Sequence, residues 1–256
     1  MKLPYTTGGD TFDFECQDNW VSKYTNEGIL HGETYPILSF IRDVHVVLDI
    51  GANCGAATVF FATHYPDAIV HAFEPAEEPF SLLERNTQPL GNVRRHHLGL
   101  FSHDDQVPLY RGAFDSGSSS VFKRAGTLEK HEVITLRSTS AWLHENAMTS
   151  VDIVKIDTEG CEIPILTAMR DLLPTVKVLY IEFHNEEDRK TLDQLLGDTH
   201  VMVHGKTLLN IGEVVYVARD AFPAGDLAAP EVHEWMAAIV RRRVANRSEA
   251  TELRGP

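Results

Sequence analysis

From residue 45 onward, short apolar runs rich in β-branched residues alternate with stretches of helical periodicity, and that alternation restricts the chain to few folds. HVVLDI (45–50), AIVHAFE (68–74), VDIVKID (151–157) and VKVLYIEFH (176–184) read as strands covered on both faces, because they lack the polar alternation of a half-solvated sheet. Helical patterns follow them at Ala56–His64, from Pro75 with its early acids, over CEIPILTAMRDLL and over NEEDRKTLDQLLG, which ends at Gly197. VRRHHLGL (93–100) reads as a third, more polar strand. After it the rhythm breaks, with an extra strand in QVPLYRG, a flexible loop at 114–120, a strand at 131–137 and a short helix in STSAWLHENA. Two further β runs, THVMVHGKTL and EVVYVARD (213–220), are joined by a polar turn and form a terminal hairpin.

The expected fold is therefore α/β and Rossmann-like, with a mostly parallel seven-stranded sheet that ends in an antiparallel hairpin and helices on both faces. Residues 45–220 make this domain, 1–44 an N-terminal segment on the substrate side, and 221–256 a C-terminal helix with a polar tail. The flank Trp235, Met236 and Ile239 of that helix packs on the body or on a second copy, so a homodimer is among the expected arrangements.

Ligands of such sheets bind beyond the carboxyl ends of the strands. The first strand ends in Asp49-Ile50-Gly51-Ala52-Asn53-Cys54-Gly55. Its glycines permit a tight turn and close approach to a ligand, but their spacing is not the G-x-G-x-x-G of dinucleotide folds. A carboxylate at this position, Asp49, repels a pyrophosphate and attracts a cation. The second strand ends in Glu74-Pro75, about 20 residues on, where an acid can accept both hydroxyls of a ribose. A positively charged nucleoside without phosphates satisfies both requirements, which describes S-adenosylmethionine. The fourth strand ends in Asp157-Thr158-Glu159-Gly160-Cys161-Glu162, and the fifth in Glu182-Phe183-His184. Period-two geometry puts Glu182 and His184 on one side, as a base with its orienting partner. Asp157 and Glu182 could also hold Mg2+, an oxygen-seeking ion.

The net charge of −14 argues against nucleic acid and against anionic membrane surfaces as partners. No apolar run approaches the ~18–20 residues of a membrane span. Three scattered cysteines and an N-terminus without a basic-then-apolar leader fit a reduced, cytoplasmic protein.

LDIGANCG, FEP, HLGL with DSGSSS, VKIDTEGCE and IEFH, in this order over residues 45–185, resemble the FkbM-type methyltransferases. The resemblance implies S-adenosylmethionine-dependent methylation of a hydroxyl, on a sugar, glycoside or polysaccharide (methylated mannosides among them) or on a polyketide. It implies that Asp49, Gly51, Asn53 and Gly55 hold the methionine part, Glu74 with Pro75 the ribose, and the segment Gly99 to Ser102 the adenine end. Asp157, Glu159, Glu182 and His184 would line the transfer site. A nicotinamide-dependent oxidoreductase on the same fold is the competing reading, disfavoured by the glycine spacing and by Asp49.

Overall fold

The computed structural model describes residues 1–7, 10–110, 119–122 and 130–252. Most of the loop expected at 114–120 lies outside these residues. An antiparallel hairpin, β1 (Lys2–Thr7) and β2 (Asp10–Glu15), opens the chain and leads into α1 (Trp20–Leu30), whose first turn is capped by Asn19. The main domain then runs β3 (Val46–Ile50), α2 (Ala56–His64), β4 (Ile69–Phe73), α3 (Glu77–Thr87) and β5 (Val93–His96). It resumes with β9 (Ile153–Ile156), α5 (Glu162–Ala168), β10 (Val178–Phe183), α6 (Glu186–Leu196), β11 (His200–Leu208) and β12 (Ile211–Ala218).

These strands form one seven-stranded sheet in the order β11-β12-β10-β9-β3-β4-β5, with β12 antiparallel to both its neighbours and the rest parallel. This is the expected Rossmann-like architecture, a mostly parallel sheet that ends in an antiparallel hairpin with helices on both faces. Period two assigns the two faces. Val47, Ile153, Val178 and Tyr180 pack with Phe60 and Phe61 of α2, whereas Leu48, Val154, Ile156 and Ile181 pack with Leu166 of α5 and Leu192 of α6. The central strands are sealed on both sides, as their unbroken apolar runs require.

The run 93–100 is not one strand. After β5 the chain turns at His97-Leu98, and β6 (Gly99–Phe101) joins a separate three-stranded sheet with β7 (Asp105–Tyr110) and β8 (Lys130–Ser138). Gly99 permits the crossing, since a Cβ there would stand 2.7 Å from Leu136 Cδ2. The short α4 (Thr139–Glu145) follows β8. The helix expected over 161–173 ends at Ala168 and is followed by a separate 3-10 turn at Leu173–Thr175. At the other terminus, α7 (Pro230–Glu252) seats Trp235 on the body: its ring meets Phe40 edge-on at 5.8 Å and Nε1–H donates to Ile37 O at 3.1 Å. Ile239 packs alongside, and Met236 is exposed.

Far from the carboxyl edge, Asp152 ties the strand starts together. It accepts from His45 N–H (2.7 Å) and Val46 N–H (3.0 Å), and Lys177 Nζ lies 2.9 Å away. Burial pushes its carboxyl up, but these donors outweigh burial and hold it below the ordinary aspartate range. A depressed folded-state pKa contributes stability above the unfolded value, and that stability is lost as pH falls through the folded one. We therefore expect Asp152→Asn to be less stable than the wild type in urea at neutral pH. The gap should close only below about pH 4, as the wild-type carboxyl is protonated.

Candidate active site

The glycine loop after β3 is bent by Gly51 (φ +79°), Asn53 (φ +51°) and Gly55 (φ +92°), the last of which caps α2. Gly51 can be nothing else, because a Cβ there would fall 1.8 Å from the Asp157 carbonyl oxygen. The loop thus lies directly against the end of β9. Beneath it is Asp49, fully buried, facing α2 rather than the ligand side. Its Oδ2 accepts from Thr58 Oγ1 (2.5 Å), and its Oδ1 is 3.2 Å from Lys155 Nζ. Asp49 and Lys155 are register partners on β3 and β9, and Lys155 also donates to the Gly51 carbonyl at 2.6 Å. Burial pulls the lysine's pKa down, but Asp49 and Asp157 raise it beyond its ordinary value, so it stays charged. The expectation of an open carboxylate at Asp49 is corrected here: its charge is answered within the protein, and it does not line the cleft.

A cleft of about 360 Å³ opens above the strand ends. Gly51, Asn53, Glu74, Pro75 and Asp157 line it, whereas Gly55 stands back at the helix start. Glu74 accepts from Asn53 N–H (2.8 Å) and Ala76 N–H (2.9 Å), fastening the loop to the end of β4. Burial raises its carboxyl to about 7 against the pull of those donors. Beyond Glu74 the cleft becomes an apolar chamber of Leu100, Leu109, Val121, Ile134 and Leu136. Ser102, expected near this end, is exposed, does not line the chamber, and pairs with His103 Nδ1 at 3.0 Å. The departure of β6 from the main sheet presents Gly99 and Leu100 instead.

At the opposite end the acids gather. Glu182 stands beside Asp157, and Tyr35 O–H donates to Asp157 Oδ2 at 3.5 Å. Burial, reinforced by the Asp157 charge, raises Glu182 to about 9. His184 lies behind the cleft wall, its Nε2 3.0 Å from Glu159 Oε2 and 3.3 Å from Glu182 Oε2. Burial opposes its charge, yet Glu159, Glu162 and Glu182 raise it to about 12. Among the described residues, Glu159, Glu182 and His184 are the set whose ligand atoms lie within 4.8 Å of one another. Asp157 is not in that set, and an imidazole donor is one that Mg2+ seldom takes.

Sequence reading missed Lys155, Tyr35 and Glu213. The first was legible as a lone lysine inside an apolar strand; the other two reach the cleft only through tertiary packing. A second cleft of about 340 Å³ borders the acidic end and shares Thr25, Thr34, Glu182 and Glu213 with the first. Tyr24 from α1 and Leu208 and Ile211 from the β11–β12 hairpin form its exposed rim. The N-terminal segment is joined to the glycine loop through Asn86, whose Nδ2 donates to Glu15 O and Cys54 O (2.7 Å each) while its Oδ1 accepts from Glu15 N–H at 2.7 Å. Cys54 is buried and its thiol is pushed up to about 12, so it is no nucleophile.

A family model described as the methyltransferase FkbM domain matches residues 49–237. The hexuronic acid methyltransferase AglP of Haloferax volcanii is 25% identical over 184 residues, 72% of this chain and 74% of its own. The 31-O-demethyl-FK506 methyltransferase FkbM of Streptomyces tacrolimicus is 24% identical over 240 residues, 80% of this chain and 83% of its own. The 2-O-methyltransferase NoeI of Sinorhizobium fredii is 21% identical over 156 residues, 56% of this chain and 64% of its own.

Replacing Lys155 by Met would leave Asp49 as a buried charge with only the Thr58 hydroxyl. We expect that variant to lose about 3–5 kcal/mol in urea unfolding. Adding Asp49→Asn to it should recover most of the loss.

Proposed function

Because the chain belongs to the methyltransferase FkbM-domain family, we propose that it is an S-adenosylmethionine-dependent O-methyltransferase whose acceptor is a hydroxyl of a sugar or glycoside. The observation that carries this reading is the polarity of one continuous cleft. It runs from an apolar chamber, past the buried carboxylate of Glu74, to the Asp157–Glu182 pair. That sequence of environments fits adenine, ribose and a sulfonium in turn, and leaves no place for a diphosphate. Two relatives whose names specify a 2-O-methyltransferase and a hexuronic acid methyltransferase support the chemistry and the acceptor class.

The cofactor supplies an electrophilic methyl carbon, and the protein does the rest. Glu74 would hold the ribose hydroxyls on the carboxylate lone pairs left by Asn53 N–H and Ala76 N–H. The loop held by Gly51 and Lys155 fixes the methionine end. The acceptor enters through the second cleft, between α1 and the β11–β12 hairpin, so that its hydroxyl meets the Asp157–Glu182 pair. Holding oxygen and methyl in line about 3 Å apart can supply roughly 7–11 kcal/mol of the barrier. The Asp157–Glu182 pair would take the alcohol's proton as the methyl passes to its oxygen, a transfer that contributes about 10²–10⁴-fold. The products are a methyl ether and S-adenosylhomocysteine. His184, 3.3 Å from Glu182 Oε2 behind the cleft wall, orients that carboxyl. Residues 1–44 act with the hairpin to choose the acceptor. The exposed rim of Tyr24, Leu208 and Ile211 favours an acceptor that also carries an apolar part, and a polyketide hydroxyl is the second reading it supports.

Incubation with a labelled methyl donor and a panel of sugars, glycosides and polyketide alcohols, read by mass spectrometry, tests the reaction. Transfer to a glycoside hydroxyl is the expected result. Failure to bind S-adenosylhomocysteine in calorimetry, with NAD bound instead, would sink the assignment. Glu74→Gln should weaken S-adenosylhomocysteine about 10-fold or more, since hydrogen bonds to a charged group contribute ~1.5–3 kcal/mol. Tyr24→Ala should raise the acceptor KM and leave that affinity unchanged.

A further inference from the structure

We propose that Glu159, Glu182 and His184 bind a divalent first-row transition-metal ion of the Mn2+ class, and that Glu162 fixes the imidazole for it. The separations are those of neighbouring ligands on one ion. Donor atoms about 2.1 Å from a six-coordinate metal stand roughly 3.0 Å apart. His184 Nε2 is 3.0 Å from Glu159 Oε2 and 3.3 Å from Glu182 Oε2. One imidazole with two carboxylates is a donor set of mixed hardness that suits Mn2+ or Fe2+ better than Mg2+.

The second observation lies on the other side of the ring. Glu162 is buried, and its Oε1 is held by Thr158 N–H (2.9 Å), Thr158 Oγ1 (3.0 Å) and Gly160 N–H (3.0 Å). Its Oε2 and His184 Nδ1 are both buried without a hydrogen-bond partner and face each other at 3.7 Å. Metal-bound histidines characteristically aim their remaining N–H at a carboxylate, which fixes the tautomer and leaves the other nitrogen's lone pair for the ion. A small approach of this ring to Glu162 completes that pattern and turns the Nε2 lone pair toward Glu159 and Glu182. The loop is built for this placement: Glu159 sits at φ +58° and Gly160 at φ +115°, and the Glu159 carbonyl accepts from Ser120 Oγ at 2.7 Å.

Glu159 and Glu182 line the main cleft, so the ion's remaining positions face the acceptor side, where adjacent hydroxyls of a sugar could occupy them.

Mn2+ alone tests this, without donor or acceptor, so that failure here is separate from failure of the methyl-transfer reading. Titration of the EDTA-stripped protein, followed by loss of the free Mn2+ paramagnetic resonance signal, should show one bound ion per chain and a raised melting temperature. Glu159→Gln and His184→Gln should each weaken Mn2+ by at least about 10-fold, and Glu162→Gln by about 10–100-fold, with Mg2+ in equal amount failing to displace it. Wild-type protein that takes up no Mn2+ at millimolar concentration would overturn the proposal. So would a folded Glu159→Gln or His184→Gln variant that binds as tightly as the wild type. Should His184→Gln fail to fold, the partly exposed Glu159 variant and the wild-type melting shift still decide.

Discussion

The buried contact between Asp49 and Lys155 is the constraint around which the ligand side of the molecule is arranged. Both side chains leave the central strands on the face covered by α2, in direct register. The lysine then reaches on to the Gly51 carbonyl, so one ammonium group joins β3, β9 and the glycine loop. Removing two charges from water is unfavourable by itself, and such pairs are seldom a net source of stability. What this pair provides is position: the loop cannot shift without separating buried charges. Gly51 completes the fit by letting the loop backbone touch the Asp157 carbonyl.

From that fixed point the cleft acquires its gradient. On one side the separate sheet of β6, β7 and β8 supplies apolar walls; on the other, β9 and β10 end in acids. The strand ends therefore differ in chemistry although they share a geometry. Burial and the Asp157 charge raise the Glu182 carboxyl, and the surrounding carboxylates raise His184 against the effect of burial.

Much of this was readable from residue order. The unbroken apolar runs of the central strands, the glycine loop and the strand-end acids each depend on local pattern, and all fall at the carboxyl edge. The errors have one physical origin: pattern tells which face a residue takes but not what lies opposite. Asp49 reads as a ligand carboxylate until Lys155, more than a hundred residues away, is brought beside it. Ser102 reads as part of the adenine wall until β6 leaves the sheet one turn earlier. His184 reads as the partner of Glu182, and folding adds Glu159 and Glu162 around the same ring. The first 44 residues gave little local signal, and Tyr24 and Tyr35 gain meaning only once α1 and the loop after it are folded over the edge.

The hydrogen bonds of Asn86 have a bearing on how such a protein can be re-engineered. That one amide is clasped by the backbone of the opening hairpin at Glu15 and holds the backbone of the glycine loop at Cys54. Exchanging the leading segment for that of another family member would graft half of a joint. A workable chimera must carry the matching α3 residue along with the hairpin, or the newcomer will unsettle the glycine loop that Asn86 holds at Cys54.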